Sequence, residues 1–441
     1  MLVEGEGFEP SKAEPSDLQS DPFDRSGTPP NETVYSGALP FPCQTNRFKL
    51  EHRGKPHPRP AIIASQMIKL AIALLFAGFG LPALANPPSP APGIAAKYYL
   101  LVDFQSRQAL AEQNSRERVE PASLTKLMTA YLSFKALKDK RLSPGQILPV
   151  SEKAWKAEGS RMFLEPGKPA TVDELLKGMI VQSGNDACIV LAEAIVGSEE
   201  AFAGLMNREA QRLGMSDTHF VNATGLPDPR HYSTARDLSL LAMAIIQDFP
   251  EYFPLYSIKE YTYNNVSQPN RNRLLWADSF VDGMKTGYTE NAGYCLIAAA
   301  KRGERRLLSV VLGTSSDAER AAESQKLLNF GFQQFETVRL FAKGQTATVL
   351  PIWKGVGNSL KAGFLEDLYV SLPKGQSSKL KATLETRQPL IAPVQQGQPV
   401  GALKLTLGGR PLVEFPVVAL ESISIAGLLG RGWDSLRLLF R

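Results

Sequence analysis

The stretch that decides how this chain folds is Val281 to Gly313, "VDGMKTGYTENAGYCLIAAAKRGERRLLSVVLG". Three runs within it, "VDGMKTGY", "GYCLIAAAK" and "RRLLSVVLG", read as strands, and only "TENA" and "RGE" separate them. Connections this short leave no room for a crossover helix, so the stretch predicts an antiparallel meander. Well upstream, "AKYYLLVDF" and "QALAEQN" read as two strands of a hairpin.

Helical periodicity fills the space between. One helix begins at about Ser123, with Leu124, Leu127, Met128, Tyr131 and Leu132 forming an apolar stripe. Thr171 and Glu174 form a capping box, and Val172, Leu175, Leu176, Met179 and Ile180 share the face that follows. That helix stops at "QSGND" and another resumes through "ACIVLAEAIV"; further helical segments lie around 200–213, 234–247 and 317–330. Strands flanking a run of helices give an α+β domain over residues 94–340. From "KGQTATVLPI" to "PVVALE" the chain turns strand-rich, which predicts a small all-β sandwich over 341–420. Residues 421–441 read as an amphipathic helix. Ile425, Leu428, Leu429, Trp433, Leu436, Leu439 and Phe440 lie on one face, and Arg431, Asp434, Arg437 and Arg441 on the other. Such a helix can pack on its own β-domain; an arc this wide, facing three arginines, better suits the plane of a membrane interface.

The N-terminal end has a different character. Residues 1–66 are rich in Pro, Ser, Asp and Glu and lack apolar periodicity, so they read as a non-native or disordered extension. Residues 67–85 follow the plan of a secretory signal peptide: Met67 and Lys69, an apolar run from Leu70 to Leu81, and the small-x-small site Ala83-Leu84-Ala85. Met67 is then the expected initiator, and a mature chain beginning near Asn86 would work outside the cytoplasm. Cys43 precedes that point. Cys188 and Cys295 lie in apolar segments, and two separately buried thiols fit better than a disulfide, since neither has framework or metal spacing. The 441 residues, 43% hydrophobic and 21% charged, carry a net charge of +5 without a long basic run, so no nucleic-acid partner is expected. No metal or other cofactor is expected either.

Three short motifs carry the chemistry: Ser123-Leu-Thr-Lys126, Ser183-Gly-Asn185 and Lys285-Thr-Gly287. Each alone is weak, but the three in this order, each in suitable secondary structure, are hard to dismiss. A serine hydroxyl needs a base, and the usual base is histidine. Of the four histidines, His52 and His57 precede the mature start, and neither His219 nor His231 adjoins a motif serine. Lys126, one helical turn beyond Ser123, is the alternative. An ordinary lysine, with a pKa of about 10.4, serves as a base at neutral pH only if burial and nearby cations lower it. Lys285 is the expected second cation.

With these motifs the chain resembles the penicillin-binding serine peptidases, and more closely the low-molecular-mass D-alanyl-D-alanine carboxypeptidases related to penicillin-binding protein 5. The likeness spans the mature chain and includes "TGLPDPRHYSTARDLSLLA", "NRNRLLW" and "VDGMKTGYTENAGYCLIAAA". It implies a serine β-lactamase/transpeptidase-like domain, then the β-sandwich and the terminal helix. It also implies removal of the terminal D-alanine from peptidoglycan pentapeptides through a Ser123 acyl-enzyme, with β-lactams as covalent inhibitors. By the same likeness Lys126 is the acylation base, Ser183 relays a proton to the leaving amine, and Asn185 orients Lys126 and the substrate amide. The backbone N–H groups of Ser123 and Tyr288 form the oxyanion hole. Tyr288 departs from the histidine of some relatives, which leaves that backbone role intact. Gly287 leaves room for a peptide along the strand edge. Thr286, Arg320 and secondarily Arg271 are the expected ligands of the terminal carboxylate.

The likeness further implies an exported chain at the periplasmic face of the bacterial inner membrane, held peripherally by its last helix, with the β-domain as a stalk. DD-endopeptidase activity is a near alternative. A β-lactamase needs a further base on the loop edging the site, where "GLPDPRHYST" offers Asp228 but no Glu. A silent peptidoglycan-binding scaffold is disfavoured by the intact motifs.

Overall fold

The computed structural model describes residues 92–386 and 388–438. The extension, the signal-like segment, the start near Asn86, Cys43, His52, His57, Leu439, Phe440 and Arg441 lie outside the described residues.

A five-stranded antiparallel sheet forms the centre of the larger domain. Its strands are β1 (Tyr98–Asp103), β2 (Ala109–Gln113), β3 (Val281–Thr289), β4 (Gly293–Arg302) and β5 (Arg305–Thr314), in the order β2-β1-β5-β4-β3. The meander is β3-β4-β5, and the hairpin joins it through β1 and β5. The apolar runs are unbroken because both faces of the sheet are buried. Ile297 and Ala299 enter the core on one face while Leu296, Ala298 and Ala300 enter the core on the other. The longer helices are α1 (Lys126–Lys138), α2 (Val172–Val181), α3 (Asn185–Val196), α4 (Glu199–Arg212), α5 (Ala235–Asp248) and α6 (Asp317–Gln334). Leu327, Leu328 and Phe330 of α6 fill the second core, and α1 to α5 surround the first.

Several details differ from the sequence expectation. The β-domain begins with the strand at Phe335 and not at 341, and the last helix starts at Leu428 and not at 421. Ser123 lies in a 3-10 turn, Ala122–Thr125, and the α-helix begins only at Lys126. And α1 has no stripe: Thr129, Ala130, Ser133 and Phe134 are as buried as Leu127 and Met128, because the helix runs through the middle of the domain. The capping box on α2 forms, with Thr171 Oγ1 accepting from Glu174 N at 3.3 Å and Glu174 Oε2 accepting from Thr171 N at 2.8 Å.

The smaller domain is all β. A two-stranded sheet, β6 (Phe335–Phe341) with β9 (Leu368–Pro373), shares one apolar core with a six-stranded sheet. That sheet contains β7 (Thr346–Trp353), β8 (Ser359–Gly363), β10 (Leu380–Thr386), β11 (Leu390–Ile391), β12 (Pro399–Leu407) and β13 (Arg410–Ala419), in the order β10-β12-β13-β8-β7-β11. A buried polar cluster ties it to the five-stranded sheet. Asp103 Oδ2 accepts from Arg305 Nε at 2.8 Å and from Thr337 Oγ1 at 2.5 Å, and Gln108 Oε1 accepts from Ser371 N at 2.6 Å. The last helix, α7, spans Leu428–Leu438, and no helix among the described residues is long and apolar enough to cross a membrane.

Candidate active site

The three motifs meet at β3, the last strand of the five-stranded sheet. Lys126, the first residue of α1, is 1% exposed, with its Nζ 3.0 Å from Ser123 Oγ and 2.6 Å from the carbonyl oxygen of Thr224, to which it donates. Burial pulls the Lys126 ammonium down to about 8; the Arg271 cation adds to this, while Cys188 and Asp186 oppose it. Lys285 is lowered well below its ordinary value, first by burial and then by the repulsion of Lys126 and Arg271. The two lysines do share a dry pocket, but burial outweighs their repulsion, and that repulsion depresses Lys285. Sequence alone suggested the reverse direction.

Ser183 occupies the left-handed region, φ 63°, where α2 gives way to α3. A non-glycine residue held there is strained, as residues fixed at functional sites often are. Its Oγ accepts from Lys285 Nζ at 2.9 Å, and Lys285 also donates to the Thr286 carbonyl at 3.1 Å. Asn185 does not reach Lys126. Its Nδ2 donates to the Glu158 carbonyl at 2.6 Å, and its buried Oδ1 has no hydrogen-bond partner among the described residues. The Lys126 amine bonds the Thr224 carbonyl in place of Asn185. Asp186, missed by the sequence reading, anchors the facing loop: its carboxylate accepts from Met162 N at 3.0 Å and Leu164 N at 3.1 Å.

Gly287 lines the cleft and also packs against the serine turn. A Cβ there would lie 3.2 Å from both Ala122 Cβ and the Pro121 carbonyl, so the missing side chain lets β3 close on the serine turn. Glu120 pins that contact, accepting from Thr289 Oγ1 and from Asn291 Nδ2, each at 2.9 Å. An open cleft of about 800 Å³ runs beside it, lined by Ser123, Ser183, Thr286, Tyr288, Arg271 and Arg320 among others. Arg320 is buried, donating to the Gly287 carbonyl at 3.2 Å and pairing with Asp317, which also pairs with Arg273. Arg271 lines the same end of the cleft, and its carbonyl accepts from Arg320 at a long 3.5 Å. Tyr288 is half exposed and packs on Tyr294, ring centroids 4.4 Å apart.

His231 is buried with Nε2 2.8 Å from Thr125 Oγ1, and its Nδ1 accepts from Val221 N at 3.2 Å. Burial lowers its pKa to about 4, so at neutral pH the ring is uncharged and braces the nucleophile turn. His219 donates to the Arg230 carbonyl at 2.6 Å, away from the serines. Cys188 and Cys295 are free and buried, and burial pushes the Cys188 thiol up to about 12.

Residues 85–316 match the family model of the S11 peptidases, described as D-alanyl-D-alanine carboxypeptidase. The chain belongs to this family. Residues 335–424 match the model of the penicillin-binding protein 5 C-terminal domain. Among S11 relatives, the D-alanyl-D-alanine carboxypeptidase DacC of Escherichia coli is 43% identical over 358 residues, covering 79% of this chain and 90% of the relative. DacF of Bacillus subtilis is 38% identical, covering 76% of this chain and 87% of the relative. In structure, penicillin-binding protein 5 from Haemophilus influenzae superposes with a TM-score of 0.73 at 38% identity, over 76% of this chain and 99% of that one. The S11 chain described here thus carries the family's catalytic domain and the β-domain that follows it.

Proposed function

We propose that this S11 protein is a serine D-alanyl-D-alanine carboxypeptidase, a penicillin-binding hydrolase that releases the terminal D-alanine of peptidoglycan stem peptides. The observation that carries the reading is the buried Lys126 amine 3.0 Å from Ser123 Oγ. With its pKa near 8, a useful fraction of that amine is neutral at physiological pH and can take the hydroxyl proton. Ser123 then attacks the scissile carbonyl, and the Ser123 and Tyr288 backbone N–H groups hold the oxyanion. Ser183, bonded to Lys285, passes a proton to the departing amine. Asn185 Oδ1, without a partner among the described residues, is available to the substrate amide. Thr286 and Arg320 take the terminal carboxylate, with Arg271 beside them.

Mass spectrometry with a labelled penicillin, alongside alanine release from a pentapeptide, tests this. Penicillin is expected to add to Ser123 and not to a Ser123→Ala variant, and Arg320→Ala is expected to raise KM for the pentapeptide. Equal labelling of the Ser123→Ala variant overturns the assignment. A β-lactamase reading fares worse on geometry. Asp228 is bound by its neighbour Arg230, and Asp317, a carboxylate lining the cleft, is held by Arg273 and Arg320. Neither is placed to activate a deacylating water.

The chain is also proposed to be exported after removal of residues 67–85 and to rest on the inner membrane through α7. Asp434, on the polar face, accepts from Lys354 N of the β-domain at 2.6 Å, while Leu428 and Trp433 are 81% and 59% exposed. Polar side inward and apolar side outward is the arrangement an interfacial helix requires. On cell fractionation, a chain starting near Asn86 is expected to sediment with membranes, and Leu428→Asp with Trp433→Asp to release it. A wild-type chain that stays soluble, or that keeps Met67, refutes this part.

A further inference from the structure

We propose that Asn222 is a positioning residue for the reaction, folding the Asn222–Leu226 turn so that the Thr224 carbonyl meets the Lys126 amine. This rests on the reading of Lys126 as the group that takes the Ser123 proton. Asn222 Oδ1 accepts from three donors, Thr224 N at 3.1 Å, Thr224 Oγ1 at 3.0 Å and Gly225 N at 2.7 Å, and its Nδ2 donates to the Leu226 carbonyl at 3.0 Å. Both ends of one carboxamide are therefore engaged by Thr224, Gly225 and Leu226, a turn-forming use of Asn.

The turn touches the nucleophile segment at two points. The Thr224 carbonyl is 2.6 Å from Lys126 Nζ. Gly225, at φ 84°, lies against the Ala122 carbonyl so closely that a Cβ would fall 1.8 Å from its oxygen. Ala223 is held separately: its N–H donates to Glu199 Oε1 at 3.0 Å, its carbonyl accepts from Thr129 Oγ1 at 2.7 Å, and Glu199 pairs with Lys153 at 2.9 Å. The entry to the turn is thus fixed without Asn222, and the orientation of residues 224–226 depends on it. The charged and titratable groups around the Lys126 amine, Lys285, Arg271, Asp186 and Cys188, come from other elements and are untouched by changes at Asn222.

The test compares wild type, Asn222→Ala and Asn222→Ser by the rate of acylation with a fluorescent penicillin from pH 5.5 to 10, with melting curves alongside. Serine keeps a neutral acceptor for the turn's N–H groups. The alanine variant is expected to lose about 10²-fold in the acylation step, since a reacting group displaced by about 1 Å costs that much. Its pH midpoint should move upward from about 8 as water reaches the amine, while the serine variant keeps the wild-type midpoint and much of the rate. A merely structural role would lower the melting temperature and leave the midpoint of the folded fraction in place. An alanine variant with the wild-type rate and midpoint, or a serine variant as slow as alanine, overturns the proposal. A wild-type chain that no penicillin acylates sinks the reading beneath it instead.

Discussion

Replacing Lys126 by methionine is expected to slow penicillin acylation by roughly 10³-fold, the middle of the range that a positioned general base supplies. Lys126→Arg should be as slow. It restores the cation, but a guanidinium stays protonated and cannot serve as a base. The wild-type rate should climb with pH and level off above about 8, where burial has placed the lysine midpoint. A Lys126→Arg protein that acylates at a substantial rate shows that charge, not basicity, is what the site needs.

The same substitution has a stability signature. In the folded chain Lys126 releases its proton near pH 8; in the unfolded chain it does so near its ordinary value. Between those values the unfolded chain binds more protons, so folding becomes more favourable as pH rises. Below pH 8 the cost of the buried charge is constant. The span corresponds to about 3 kcal/mol, which wild type should regain between pH 8 and about 10.4 and Lys126→Met should not. Methionine leaves the Thr224 carbonyl without its donor, an opposing loss of about 1–3 kcal/mol. The pH-dependent difference in urea midpoint therefore reports Lys126, together with the relief of Lys285 from its repulsion, better than any single melting temperature. Equal pH slopes for the two proteins would mean the amine reaches water.

Gly225→Ala should be the most damaging change that adds a single carbon. The residue has φ 84°, and the new Cβ would sit 1.8 Å from the Ala122 oxygen, so backbone has to move. Left-handed strain and overpacking together cost about 2–5 kcal/mol. What moves is the turn carrying Ser123, so the folded fraction should also acylate about 10²-fold more slowly. Gly214 supplies the control. Its φ is 79° and no neighbour among the described residues lies within 4 Å of where a Cβ would stand, so Gly214→Ala carries backbone strain alone. Melting and acylation of the two alanine variants, measured together, separate strain from displacement. If Gly225→Ala behaves like Gly214→Ala, the contact with Ala122 does not hold the nucleophile.

Much of the architecture was legible because it depends on periodicity. The runs "GYCLIAAAK" and "RRLLSVVLG" are strands in any surroundings that bury both faces, and the Thr171–Glu174 cap starts α2 through bonds four residues long. The motif residues were legible because their side-chain chemistry is unusual in that order. Less legible was α1, whose burial on all sides hides the amphipathic pattern that reveals a surface helix. The start of that helix was misjudged by one turn, because a 3-10 turn and an α-turn draw on the same residue preferences.

The sequence by itself determined which side chains could act: a serine, two lysines, a second serine and an asparagine, in a fixed order along the chain. The tertiary structure alone decided what surrounds them. Lys126 meets the carbonyl of Thr224 and not the carboxamide of Asn185, and Gly287 and Gly225 are small so that β3 and a distant turn can close on Ala122. Every residue brings an identical carbonyl, and every glycine an identical absence, so neither carries a mark in the sequence. Only the path of the chain selects which one faces the amine, and the depth at which that path buries Lys126 sets its basicity.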